Sequence, residues 1–162
     1  MSGRFVVKPL TPEQIPQAFA LVSIFDEGLS KDAWCEYATA IMEKTGNGPG
    51  CGIMTVQSEE GYIYGLSVHR LKNELRLGRV LEIENFTAVV DLIGAKTAAE
   101  LLLESLESKA RAQQCRCMTL KLLNPAMRKW LRRSNGPRAD IFQAAGFRGE
   151  PLRLRKCFEE GG

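Results

Sequence analysis

Residues 82 to 103, EIENFTAVVDLIGAKTAAELLL, read as an apolar strand, a short loop and a helix, and this succession constrains the fold more than any other stretch. The apolar run that follows, residues 115 to 123, is then joined to the first strand by a helical crossover, and such crossovers connect parallel strands. The loop around Gly94, Ala95, Lys96, Thr97 and Ala98 leaves unpaired backbone N–H groups at the helix start, with mostly small side chains beside them. It is a candidate cradle for an anion such as a pyrophosphate. Alternatively, Gly94 and Ala98 only allow the helix to pack closely on the sheet.

The elements before this segment have their own signals. Arg4 to Leu10 reads as a first strand, and Thr11-Pro12-Glu13-Gln14 supplies an N-cap threonine, a proline at the first helical position and a glutamine three residues after the cap. Ile15, Ala18, Phe19 and Val22 then recur at helical spacing. A second helix starts near Ser30, with Trp34, Tyr37, Ala38 and Ile41 on one face, and is stopped by Gly46-Asn47-Gly48-Pro49-Gly50. Strands at 52–57 and 62–68 flank the turn Ser58-Glu59-Glu60-Gly61, and a third strand covers about Arg79 to Val89. Thr97 to Gln113 carries an apolar face of Ala98, Leu101, Leu102, Leu106 and neighbours. Asn124-Pro125 ends the next strand, helical stretches follow at 126–133 and 138–145, and 152–158 is a closing strand.

The length of 162 residues suits one domain, taken as residues 1 to 162. A net charge of +3 does not by itself imply nucleic acid, and no run of about 18 apolar residues predicts a membrane span. The five cysteines are odd in number and contain no CxxC pair. With no apolar leader after Met1 to Arg4, they read as reduced thiols in a cytoplasmic protein. Cys115 and Cys117 share one side of a strand, but two thiols and one distant histidine do not make a zinc site.

Two N-terminal helices, a hairpin, the strand-loop-helix of 82–103 and FQAAGF at 142–147 follow one another in an order that resembles the GCN5-related N-acetyltransferase family, of which this chain would be a divergent member. The resemblance implies an α/β fold with a mixed central sheet flanked by helices, and an acyl-coenzyme A-dependent N-acyltransferase. The family's loop pattern, aligned without gaps, falls on Ile93, Lys96 and Ala98, and only Ala98 matches it. Lys96 would either occlude the loop or bind a phosphate as a point charge. The family's proton-donating tyrosine falls on Phe142, which has no proton to give.

By the same resemblance, the two N-terminal helices shape the acceptor pocket. The strand from Thr87 through Ala88 to Val89 offers backbone groups to the pantetheine arm, and N–H groups from Gly94 to Ala98 hold pyrophosphate. Asn124 meets the cofactor arm, and the basic run Arg128, Lys129, Arg132, Arg133 and Arg138 lies near the nucleotide end of acetyl-CoA. That run is equally a solvated basic face, or a nucleic-acid contact, although Trp130 alone does not make a base-stacking pattern.

An acceptor ammonium must lose a proton before its nitrogen attacks a thioester. Glu84 is the first candidate base and Glu82 the reserve, since a separation of two puts both on one strand face. Half burial there would raise a carboxylate pKa toward the working range. The alternation of Leu81 and Ile83 with Glu82 and Glu84 is equally a solvated strand face. His69, the only histidine, ranks below Glu84 because no cysteine or serine constellation accompanies it. The expected activity is direct acetyl transfer from acetyl-CoA, as co-substrate, to a primary amine. The alternative is a catalytically inactive domain of the same fold that senses the cofactor or binds a partner. An exposed final strand would permit a homodimer, unless Arg155 and Lys156 protect that edge.

Overall fold

The structure is a computed structural model that describes residues 4–45, 50–88, 97–121 and 147. Five strands, β1 (Phe5–Pro9), β2 (Cys51–Ser58), β3 (Ile63–Glu74), β4 (Gly78–Ala88) and β5 (Cys117–Leu120), form one sheet in the order β1-β2-β3-β4-β5. The first four are antiparallel neighbours, and β5 pairs with β4 in parallel. The mixed sheet and the parallel crossover are as the sequence pattern predicts. The stretch 122–146, with Asn124, Arg128 and Phe142, the cradle positions Val89 to Lys96, and the closing strand at 152–158 lie outside the described residues.

Helices α1 (Ile15–Phe25) and α2 (Lys31–Thr45) cover one face, and α3 (Ala98–Ala112) covers the other. Thr11 N–H donates to Gln14 Oε1 at 3.2 Å, closing the turn that leads into α1. Gln14 Nε2 in turn donates to Gln57 Oε1 at 2.9 Å, which pins that turn to β2. Trp34 Nε1 donates to the Ile15 carbonyl at 2.7 Å, so a fully buried indole ties α2 to the start of α1 while satisfying its own N–H.

Both hairpins turn on glycine. Gly61 (φ 92°) and Gly78 (φ 71°) take left-handed backbone conformations that cost a residue with a Cβ. The β3–β4 hairpin is longer than expected, because β3 runs on to Glu74 through Lys72, Asn73 and Glu74, an exposed polar stretch without apolar alternation.

Directly opposed residues share a face of an antiparallel pair, so His69, opposite Ile83 and Gly52, points toward α3. There it is 2% exposed, and neither ring nitrogen has a hydrogen-bond partner among the described residues. Burial, and then the nearby Lys109 charge on α3, push its pKa from 6.5 down to about 4. The histidine is therefore a neutral core residue on the face opposite Glu82 and Glu84.

Between these two pKa values the unfolded chain binds the proton and the folded chain does not. Stability from this group is complete above pH 6.5 and is lost as pH falls to about 4. We expect the unfolding free energy to drop by up to about 3 kcal/mol across that window. His69→Leu should flatten this segment of the stability–pH curve, as measured by urea unfolding. An unchanged slope in the variant would refute the assignment.

Candidate functional site

The α1/α2 face of β3, β4 and β5 collects Arg70 and Lys72 from β3, Glu82 and Glu84 from β4, and Lys121 just after β5. The pairing register produces this cluster: Arg70 lies opposite Glu82, Thr119 opposite Glu82 on the other side, and Val68 opposite Glu84. Glu82 is 4% exposed, and its Oε1 lies 2.8 Å from Lys72 Nζ and 3.0 Å from Lys121 Nζ.

The solvated-face alternative is thereby corrected. Leu81 and Ile83 are buried against α3, while Glu82 is buried on the opposite face because two lysines answer its charge. The direction of the expected pKa shift is also reversed at this residue. Burial acts to raise the Glu82 carboxyl, but its interactions with Glu84 and with the two close lysines outweigh it and hold the group well below the usual carboxylate range. Such a carboxylate is a weak base.

Glu84 is held differently. Its Oε1 accepts from Lys121 Nζ at 3.5 Å, and its Oε2 lies 3.7 Å from Arg70 Nε, with a side chain 14% exposed. Both contacts are at or beyond the limit of a good hydrogen bond, which leaves the oxygens with unused accepting capacity.

Immediately after Glu84 the strand is irregular. Between the pairs Val68↔Glu84 and Leu66↔Thr87, Asn85 and Phe86 face the single residue Ser67, which makes a β-bulge, and Asn85 takes φ 51°. Asparagine tolerates this left-handed conformation better than most residues. The extra residue sends the Asn85 side chain to the same side as Glu84, where its Nδ2 donates to the Tyr37 hydroxyl of α2 at 2.8 Å. The Arg70 guanidinium lies close to Tyr37, and its charge acts to lower the Tyr37 pKa. Burial, and then the Glu84 charge, push the Tyr37 phenol above its ordinary range, so it stays protonated.

The sequence reading named Glu82 and Glu84 as candidates and placed Tyr37 on the apolar face of α2, but did not single out Arg70, Asn85 or Lys121. Only Asn85 carried a signal, as a strand-averse residue tolerant of positive φ inside the run EIENF.

At the other candidate positions, Ala88 ends β4 opposite Gly65 and is buried. The β4–β5 ladder runs from Val80↔Cys117 to Ile83↔Leu120, with Lys121 N–H donating to the Ile83 carbonyl, and β4 continues to Ala88. Thr97 is the N-cap of α3, its hydroxyl accepting from Glu100 N–H at 3.2 Å. Ala98 is fully buried against the sheet, as close helix packing requires. Cys35, Cys51 and Cys115 are free thiols, and no group of three or more metal-ligating side chains occurs among the described residues. No described helix is long and apolar enough to cross a membrane.

No family model matches the sequence, and no curated protein matches it. Solved structures do resemble it. Glucosamine-6-phosphate N-acetyltransferase from Arabidopsis thaliana is 13% identical with TM-score 0.67, covering 96% of this chain and 99% of its own. An aminoglycoside N-acetyltransferase in complex with CoA is 13% identical with TM-score 0.69, covering 99% and 98%. A transcriptional regulator from Bacillus halodurans is 15% identical with TM-score 0.71, covering 96% and 100%. At these identities the likeness is one of fold.

The ion pairs on Glu82 give a test of their own. Glu82→Gln should destabilise the protein by about 2 kcal/mol, less than the roughly 3–5 kcal/mol of a fully buried pair, because Lys72 and Lys121 can rehydrate. Urea unfolding at pH 7 measures this, and an unchanged midpoint would mean that the pairs contribute nothing.

Proposed function

From the GCN5-related N-acetyltransferase fold that this chain adopts, we propose that it is an acyl-CoA-dependent N-acyltransferase, transferring acetyl from acetyl-CoA to a primary amine. The observation that carries the reading is Glu84. It stands at the last regularly paired position before the β4 bulge, on the α1/α2 side, with accepting capacity left on both oxygens. Such a carboxylate can take a proton from an ammonium group, which frees the nitrogen lone pair for attack on a thioester carbonyl. Glu82, held well below the usual carboxylate range by its interactions with Glu84 and two lysines, is a structural counter-charge in this reading rather than a reserve base.

Acetyl-CoA enters as co-substrate and supplies the activated acyl group. The residues that suit it are small where its arm would approach. Ala88 at the end of β4 and Ala98 at the start of α3 are small and pack inward, and Thr97 uses its hydroxyl on Glu100 and leaves the other first-turn N–H groups of α3 to different acceptors. Val89, Gly94, Ala95, Lys96, Asn124 and Arg128 belong to the same proposed cofactor path. With Phe142 in place of a tyrosine, this reading relies on positioning of the two reactants and on water or another donor for the thiolate.

Calorimetry with acetyl-CoA, using CoA and its 3′-dephospho analogue as controls, should detect binding that weakens without the 3′-phosphate. An absence of binding at millimolar cofactor would remove the enzyme reading and favour a partner-binding domain of the same fold. On an amine that turns over, Glu84→Gln should lower kcat by about 10²- to 10⁴-fold at saturating amine and leave acetyl-CoA affinity unchanged. Unaltered turnover would refute Glu84 as the base.

A further inference from the structure

Two hydrogen-bond donors on the Glu84 face, Tyr37 and Arg70 Nε, have no acceptor within hydrogen-bond range among the described residues. Tyr37 Oη already accepts from Asn85 Nδ2 at 2.8 Å, and the Arg70 guanidinium lies close to it. An amide NH₂ only donates, so Asn85 takes up a lone pair of the hydroxyl and leaves its proton to be offered elsewhere. No acceptor for that proton occurs among the described residues.

Arg70 is in a related position. Its Nε is buried and lacks a hydrogen-bond partner among the described residues, since Glu84 Oε2 at 3.7 Å is out of range. A buried N–H left in this state costs free energy that a ligand oxygen would recover. The rest of the guanidinium is within reach of such a ligand, because the side chain is 34% exposed.

Charge points the same way. Three cations, Arg70, Lys72 and Lys121, face two carboxylates, and Glu82 is already committed to Lys72 and Lys121. Glu84 alone answers Arg70. A ligand bringing a further cation, with no anion of its own, would add to an excess of positive charge. One that brings an anionic oxygen as well as an ammonium satisfies the orphaned donors and leaves Glu84 for the nitrogen.

We propose that the acceptor is an amine carrying an oxyanion, a carboxylate or a phosphate, a few bonds from its nitrogen, with the oxyanion held by Arg70 and the Tyr37 hydroxyl and the ammonium by Glu84. The inference rests on the acyltransferase reading for its reaction, but not for its binding site. Arg70 and Tyr37 are specificity determinants here, and neither moves a proton to or from the reacting nitrogen.

The test uses matched pairs: L-lysine against cadaverine for the carboxylate, and O-phosphoethanolamine against ethanolamine for the phosphate. With acetyl-CoA and thiol release as readout, the anionic member of at least one pair should be preferred at least tenfold in kcat/KM. Arg70→Gln should abolish the preference, and Tyr37→Phe, which keeps the ring beside Trp34, should reduce it. Equal or reversed preference, or a preference that survives in Arg70→Gln, overturns the proposal.

If no amine turns over, the same pairs are read by thermal shift without cofactor. An Arg70-dependent rise in Tm with the anionic member alone upholds the oxyanion site even where the enzyme reading has failed. No shift overturns the proposal. Circular dichroism of both variants excludes unfolding as the cause of any loss.

Discussion

A buried carboxylate on an interior strand, β4, sets the terms for this half of the molecule. Glu82, 4% exposed, is tolerable there only because Lys72 from β3 and Lys121 from the end of β5 bring their ammonium groups to the same oxygen. The three residues come from three adjacent strands, so the ion pairs form only in the observed register. A slip of one residue in β4 would turn Glu82 into the apolar layer under α3 and bring Leu81 or Ile83 to face the lysines. The arrangement also separates two otherwise similar glutamates. Glu82 takes the close cations, Glu84 is left with distant ones, and their chemical behaviour differs although they sit two residues apart on one strand.

The opposite face obeys the same physics with a different outcome. His69 is buried against α3 without partners for its ring nitrogens among the described residues, and the neighbouring charge is the like-signed Lys109, so the imidazole stays neutral. One sheet thus keeps its ionised groups under α1 and α2 and an uncharged imidazole beneath α3. That segregation is what a thin mixed sheet needs if one side is to meet polar ligands while the other supplies a core.

Much of the fold was legible in the sequence because the signals were local. Thr11 with Gln14, Ser30 ahead of α2, the Ser58–Gly61 turn and the apolar face of α3 are short-range patterns, and each corresponds to an observed cap, turn or buried stripe. The parallel pairing of β5 followed from connectivity alone. The candidate site was less legible because it is assembled from long-range pairings. Nothing in the sequence around Lys121 says that it ends beside Glu82 and Glu84, and nothing around Tyr37 says that it meets Asn85, 48 residues away. Alternation suggested that Glu82 points to water. It could not reveal that two lysines make burial the better solution.

The bulge in β4 has a consequence for how this chain can diverge. Position 85 needs a residue that accepts a positive φ, which narrows the choice to asparagine, glycine or aspartate, and only asparagine among these also donates to the Tyr37 hydroxyl. Drift at position 85 therefore alters the chemistry of position 37 on a different helix. Related chains should change the two residues together, so that a glycine at the bend would be accompanied by an α2 side chain that no longer needs a donor.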